Sequence, residues 1–567
     1  MKKRCMIICF LLLTPLSIAT LPGEETRVYD HGGETSGDMV IITDGYFVDT
    51  VQALVNHKNV RGIQTFVQTT EEIYREYPGV DEMEKIKNFI KVSIEEQSVD
   101  FVLLIGSIQH VPARYTNIYY SDDFGYPTPT QWMFPSDFYY ADIYDANGSF
   151  SSWDSNGNGV FAEYDWDGNF DRIDFSPDVY VGRLPCNDNE ELEVIIQKII
   201  DYETNEAWSQ QWFTNFVCIG GDSLPGDEEN IDEGEYVQQH VIDILEGFIP
   251  RRIWASNGLL RSASNINDAI NEGAGFVFFN GHGLHNMWAT HPHNSNQWIP
   301  QGSYTLEDID SLTNQDRLPI IISDACYHCE YDSYDDCFAW SFVRNPKGGA
   351  IAFIGGSDTD LGYPGTAIIQ KGIERLCLEI STRYMQGCLF LGHLIGDAID
   401  RYTDDEMNEV DMLTVLQNHL FGDPSLRISG ASQPPMKPEP PSGPSAGKIN
   451  TKYSYNAVTE DLDGDDIYYL FEWGDSTQSI WIGPFGSGET CTMDHSWEEQ
   501  GEYQIRVRAK DENGLQSDWS EPVEIAMPRS KLDSIIDGYH LLFFSLFIDL
   551  IQDEMQVDLT YYDKLIF

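Results

Sequence analysis

Two short stretches of this chain bring an imidazole and a thiol to the ends of apolar runs. Gly275-Phe-Val-Phe-Phe-Asn280 leads directly into Gly281-His282-Gly283, and Leu318-Pro-Ile-Ile-Ile-Ser-Asp324 leads into Ala325-Cys326. A cysteine attacks as its thiolate and needs a nearby imidazole to take the thiol proton and later deliver it to the leaving group. His282 and Cys326 on neighbouring strand ends therefore supply what acyl transfer requires. The glycines flanking His282 let the main chain approach a ligand closely and leave amide N–H groups to face an oxyanion. Zinc competes for the same residue types: His282, His285, His291 and His293 cluster, and Cys326-Tyr-His-Cys329 adds thiols. Against zinc, His282-x-x-His285 follows a strand into a glycine-rich loop and lacks the helical His-Glu-x-x-His spacing that carries its own base. Cys329 either pairs with another cysteine, such as Cys337, or stays free.

A second constellation offers oxygen ligands. From Asp154 to Asp165 the chain follows a calcium-loop template. Asp154, Asn156 and Asn158 supply side-chain oxygens, Gly159 the sharp turn, Val160 a backbone carbonyl, and Asp165 the closing carboxylate. No helices flank it, so the expectation is a calcium-clamped loop that stiffens a long insertion. Structural calcium is the one cofactor expected; no organic cofactor is.

The elements that must position these residues are legible from periodicity. Met39-Val-Ile-Ile-Thr43, Phe101-Val-Leu-Leu-Ile105, Phe216-Val-Cys-Ile219, Gly275–Phe279, Pro319–Ile322 and Ala350–Ile354 are continuous apolar runs, the pattern of strands covered on both faces. Helical spacing lies between them, as in residues 49–57 and 81–97, and from Asp188, where Asp188 and Glu191 form a capping box for a helix through Ile200. The alternation predicts an α/β fold: a mostly parallel sheet with helices on both faces and its site at the carboxyl ends of the strands. Trp288 and Tyr363 are candidate walls of that site.

The remaining text divides the chain. Residues 1–22 read as a secretory signal: Lys2-Lys3-Arg4, a short apolar run, then small residues. The run is too short to span a bilayer, so the expectation is an exported protein with no transmembrane anchor in the mature chain. Residues 38–200 form an N-terminal α/β subdomain carrying the calcium-loop insertion, and 201–430 a catalytic α/β subdomain. Residues 431–447 are a proline-rich linker. Residues 448–528 alternate with period two between turn signals such as Asp463-Gly464 and Asn513-Gly514, which indicates a small all-β sandwich. A tail, 529–567, completes the chain. Of ten cysteines, eight lie outside the signal at irregular spacings that disfavour a four-thiolate zinc ribbon. With 92 acidic against 34 basic residues the formal net charge is −58, which repels phosphate backbones and excludes nucleic acid as a partner.

The two strand-end motifs resemble the gingipain-like cysteine peptidases, a family related in fold to caspases and legumains. The likeness extends to Tyr139-Tyr-Ala-Asp142, Pro177-Asp-Val-Tyr-Val-Gly-Arg-Leu-Pro185 and Leu420-Phe-Gly-Asp-Pro-Ser-Leu426, and so spans most of residues 39–428. The resemblance implies a secreted or cell-surface endopeptidase with Cys326 as nucleophile, His282 as general acid and base, and the amides of Gly283 and Cys326 as oxyanion hole. It also implies that Asp178, where relatives tend to carry Glu, orients the histidine, and that calcium stabilises the fold. Residues 448–528 resemble a PKD-type immunoglobulin-like domain, on Phe471-Glu-Trp-Gly-Asp475, His495-Ser-Trp497 and Gly501-Glu-Tyr-Gln-Ile-Arg-Val507. Its implied partner is a cell-surface or polymer ligand, whereas the peptidase region takes protein or peptide substrates. Two other readings stand beside this one: an inactive adhesion or envelope protein on a peptidase fold, and a zinc hydrolase.

Overall fold

The computed structural model describes residues 38–120, 130–164, 171–334, 336–403, 407–429, 435–461, 466–511 and 516–527. The signal segment, the tail and the calcium-loop residue Asp165 lie outside the described residues.

Ten strands build one sheet. In chain order they are β1 (Asp38–Thr43), β2 (Thr65–Thr69), β3 (Val99–Ile105), β4 (Tyr180–Leu184), β5 (Asn215–Gly220), β6 (Ile249–Trp254), β7 (Phe276–Asn280), β8 (Ile320–Asp324), β9 (Ala352–Gly356) and β10 (Asn418–Phe421). Across the sheet the order is β6-β5-β7-β8-β9-β10-β4-β3-β1-β2. All neighbours run parallel except β9 and β10. Every residue of β7, β8 and β9 is buried, as continuous apolar runs require when helices cover both faces. The helix Asn189–Thr204 begins where Asp188 accepts the Glu191 amide, the first half of the expected capping box. Glu191 Oε2 returns to the Asn187 amide instead of that of Asp188. The helix buries Leu192, Ile195, Ile196 and Ile199.

The one antiparallel seam joins two parallel halves, β5–β9 and β1–β4 with β10. The expected split at residue 200 is therefore crossed by the chain, because β10 comes from the second segment and pairs with β4 of the first. Buried charges hold that crossing. Lys58, fully buried, brings its Nζ to 2.8 Å from Glu203 Oε1 and 2.7 Å from Asp423 Oδ2. Asp423 also accepts from the Ser425 amide and hydroxyl, which shapes the Gly-Asp-Pro-Ser turn after β10. Arg183 in β4 is likewise buried, with both Asp137 oxygens at 2.6 Å and the Gly106 and Val111 carbonyls on its third nitrogen. Gly182 has no side chain because the Gly422 carbonyl occupies that space. The Val-Gly-Arg-Leu-Pro and Phe-Gly-Asp-Pro-Ser motifs are thus the two sides of one packed joint.

The C-terminal region is a sandwich. A four-stranded antiparallel sheet (Ile482–Phe485, Ile467–Glu472, Gly501–Lys510, Val523–Met527) accompanies the pair Tyr453–Ala457 and Cys491–His495. Trp473 and Trp497 fill its core with Tyr455, Tyr469 and Phe471. The expected linker 431–447 does not stand apart from the sandwich along its described part. From Met436 onward it hydrogen-bonds the sandwich: Met436 to Glu460, Ser442 to Asn456, and Gly447 to Ala526. Among the described residues no helix is long and apolar enough to cross a membrane, and all eight cysteines are free thiols, Cys329 and Cys337 included.

Burial by itself would raise the Glu203 carboxyl, but Lys58 and the His57 hydrogen bond hold it at about 2, below its usual 4.5. A carboxyl depressed on folding adds stability above pH ~4.5, and that stability is lost as pH falls towards its folded value. Glu203→Gln should therefore cost ~3–5 kcal/mol at neutral pH by leaving Lys58 underpaired. It should also flatten the decline in stability between pH ~4.5 and ~2. Urea unfolding across that range checks this; an acid limb as steep as that of the parent protein refutes it.

Candidate active site

The register of β7 against β8 decides where the reactive side chains go. Phe276 pairs with Ile320 and Asn280 with Asp324, and the Gly281 amide donates to the Asp324 carbonyl at 3.1 Å. His282 and Cys326 each follow by two residues, so both leave the carboxyl edge of adjacent parallel strands, which lie ~4.8 Å apart. The strand ends are locked by amides: Asn280 Nδ2 donates to Asp324 Oδ2 at 3.0 Å, and Gln238 Nε2 to Asn280 Oδ1 at 2.7 Å. Beyond β7 the chain enters a small antiparallel sheet, His282–Leu284, Met287–Thr290 and Ile299–Thr305.

His282 is half-buried. Its Nε2 lies 2.7 Å from the Ser223 carbonyl, which can only accept, so Nε2 carries the hydrogen and Nδ1 keeps the free lone pair. Burial lowers its basicity below the usual 6.5. Trp298, more than half exposed, meets the imidazole edge-on with centroids 5.3 Å apart. Trp288 is no wall: it is fully buried against Phe279. Cys326 alone among the eight described cysteines is not fully buried. Its Sγ lies 3.6 Å from the Asp360 carbonyl, and burial, with Asp360 next, pushes the thiol up to about 12. The resting side chain is a thiol, not a thiolate.

Gly283 is required by contact. A Cβ there would lie 2.5 Å from the Cys326 carbonyl oxygen and 2.6 Å from His328 Nε2. His328 itself is fully buried, accepts from Ser323 Oγ at 2.7 Å, donates to the Met287 carbonyl at 3.3 Å, and stacks on Phe338. Burial pulls its imidazole down to about 3, so it stays neutral and pins the Cys326 loop to the hairpin. Of the other histidines, His291 packs edge-on to His282 with centroids 5.5 Å apart and pairs with the Gln297 carbonyl, whereas His285 stacks on Tyr334 and His293 pairs with Asp232. The four-histidine zinc cluster drawn from sequence is not assembled.

Asp178 does not orient His282. Its Oδ2 accepts the Ile143 and Tyr144 amides, both at 2.7 Å, and it precedes β4, four strands from β7 and roughly 19 Å away at ~4.8 Å per strand. Asp222, which precedes the Ser223 whose carbonyl meets His282, follows β5, the direct neighbour of β7. It is buried, exchanges main-chain hydrogen bonds with His291, accepts the Asn294 amide at 2.7 Å, and leaves Oδ1 without a hydrogen-bond partner. The Gly220-Gly221-Asp222 exit repeats the glycine-then-polar ending of β7 and is the signal in the sequence for this acid.

In the acidic loop, Asp154 accepts the Asn158 amide at 2.9 Å and the Gly159 amide at 3.0 Å, and Asn158 Oδ1 accepts the Val160 amide at 2.8 Å. The carboxamides of Asn156 and Asn158 both reach Glu163 Oε2, at 3.2 and 2.6 Å. These bonds tie Asp154, Asn156, Asn158, Val160 and Glu163 into one loop network.

The placement predicts which thiol reacts. Native protein treated with iodoacetamide should carry its label at Cys326, with the rate rising steeply at alkaline pH because the thiol must first ionise. Peptide mass mapping that found Cys218 or Cys377 labelled first would contradict this geometry.

Comparison with known proteins adds the following. The profile of Peptidase family C25 matches residues 33–429, and that of the PKD domain residues 440–522. Gingipain R2 of Porphyromonas gingivalis (strain ATCC BAA-308 / W83) is 23% identical over 461 residues, covering 78% of this chain and 53% of its own. Lys-gingipain of Porphyromonas gingivalis (strain ATCC 33277) is 25% identical over 185 residues, 32% of this chain and 10% of its own. The chain spans about half the length of the first of these relatives, and far less of the second. In fold it is similar to the complex of Porphyromonas gingivalis RgpB pro- and mature domains, with TM-score 0.52 and 18% identity, covering 87% of this chain and 100% of that one.

Proposed function

The chain belongs to peptidase family C25, the gingipain family of cysteine peptidases, and from that premise we propose that it is an exported endopeptidase cleaving peptide bonds through Cys326 and His282. The observation that supports this reading is the Asn280–Asp324 register, from which His282 and Cys326 each follow by two residues at the same edge of adjacent parallel strands, with Cys326 the one described cysteine that is not buried. Because that thiol rests protonated, catalysis begins with transfer of the Cys326 proton to His282 Nδ1 as sulfur attacks the substrate carbonyl carbon. The carbonyl oxygen becomes an oxyanion facing the Gly283 and Cys326 amides. Collapse breaks the C–N bond, and His282 gives the proton to the departing amine. Water, deprotonated by His282, then attacks the thioester, and sulfur leaves with the proton restored. The Ser223 carbonyl steadies the imidazolium through Nε2–H, and Asp222 positions the turn that carries Ser223.

The dyad is tested by substitution. Cys326→Ala should abolish cleavage of fluorogenic peptides without changing the melting temperature, and His282→Ala should lower kcat by ~10²–10⁴ or more, since base and acid are lost together. His282 must be neutral to accept the proton, so kcat/KM should rise with pH through an apparent value below 6.5 and activity should persist in mild acid. Cleavage by Cys326→Ala sinks the thiol mechanism. A parent protein inert to peptides and to acyloxymethyl ketone trapping supports the inactive adhesion reading instead.

We infer in the same way that the acidic loop holds a structural calcium ion on Asp154, Asn156, Asn158, the Val160 carbonyl, Asp165 and Glu163. A ligand at about 100 times its dissociation constant adds roughly 2.7 kcal/mol to a fold that alone binds it. EGTA should lower the melting temperature, and Asp154→Ala should remove most of that response; superimposable melts with calcium and EGTA argue against the ion. The PKD domain fits a tether to a cell-surface or polymer ligand, which concentrates the peptidase on bulky protein substrates.

A further inference from the structure

Two loops at the carboxyl ends of neighbouring strands bring together a second donor set. The loop leaving β5 supplies Asp222 and Asp232; the loop after Met287–Thr290 supplies His293. One ligand atom from each lies within 4.8 Å of the others. We propose that Asp222, Asp232 and His293 bind a zinc-class divalent cation, separate from the calcium loop and from the thiol.

Three features carry this. The first is the Asp222 carboxylate, 1% exposed, with Oδ1 buried and lacking any hydrogen-bond partner. A desolvated, unpartnered carboxylate oxygen is costly, and a cation would satisfy it. The second is how the loops are held. Asp222 and His291 exchange main-chain hydrogen bonds at 2.9 and 3.3 Å, the Asn294 amide donates to Asp222 Oδ2 at 2.7 Å, and Asn294 donates to Asn230 across the gap. The donors are therefore set by the main chain on both sides.

The third is the donor chemistry. His293 Nδ1 lies 2.7 Å from Asp232 Oδ1, and its Nε2 lies 3.2 and 3.1 Å from the carboxamides of Asn230 and Asn294. To ligate through Nδ1 the ring moves its hydrogen to Nε2, and either carboxamide, by turning, offers that hydrogen an oxygen. One imidazole with two carboxylates suits four-coordinate zinc with water as fourth ligand; calcium prefers a shell of six to eight oxygens. Asp222 leads directly into Ser223, whose carbonyl holds His282, so an ion here braces the turn beneath the imidazole. Metal binding does not depend on the peptidase reading, and its test needs no catalysis.

The experiment uses the full chain, stripped with a chelator and kept in excess calcium so that the oxygen-rich loop is filled. Zinc is added, unbound metal is removed by gel filtration, and bound zinc is counted by elemental analysis beside the melting temperature. The parent should retain one equivalent more zinc than His293→Ala, whose side chain is 47% exposed and so replaceable without unfolding. Asp232→Asn should lose the same equivalent, and zinc affinity in either variant should fall by on the order of 100-fold. Cys326→Ala and Asp154→Ala should keep it. Equal zinc in the parent, His293→Ala and Asp232→Asn overturns the proposal; so does loss of the zinc in Cys326→Ala, or its displacement by calcium.

Discussion

Parallel pairing of β7 with β8 sets the geometry on which everything at the candidate active site depends. Two strands running the same way in register deliver their next residues to the same edge, and a slip of one residue would turn either side chain to the opposite face. The pairing is fixed by more than main-chain bonds. Asn280, Asp324 and Gln238 form a buried chain of carboxamide and carboxylate contacts at the last paired position. Burial pushes the Asp324 carboxyl up to about 7, so this lock is not a strongly ionised one. His328 then ties the segment after Cys326 to the hairpin after His282 from below.

The rest of the sheet serves as the mounting for that pair, and its own weak point is the seam at β10. Two parallel half-sheets meeting head to tail leave no continuous hydrophobic logic to choose their alignment. Alignment is supplied by groups that are expensive to bury unless paired: Lys58 with Glu203 and Asp423, and Arg183 with Asp137. Each bridges segments far apart in the chain. Asp178 is likewise structural, since a carboxylate accepting two amides at a strand entrance organises a turn.

Electrostatics around Cys326 run against spontaneous thiolate formation. Burial disfavours the charged form first, and Asp360 and then Asp324 add to it. The nucleophile is therefore generated during the reaction, with His282 as base, and the net charge of the chain does not help it. The same acidity favours cations elsewhere, and two places with suitable donors, the Asp154–Glu163 loop and the Asp222, Asp232 and His293 group, lie on loops outside the sheet.

From residue order alone came whatever depends on local pattern: strands from continuous apolar runs, the Asp188 cap, the sandwich around Trp473, and His282 and Cys326 at their strand ends. These are legible because periodicity, capping and strand termination act within a dozen residues. What the tertiary structure decided was adjacency across the sheet. Strand order set Asp178 four strands from the imidazole and Asp222 one strand away, and packing put Trp288 in the core while leaving Trp298 beside His282. It also moved the start of the sandwich back to Met436 and added Glu163 to the acidic loop. Those outcomes rest on contacts between residues tens to hundreds of positions apart, whose closure no local spacing encodes.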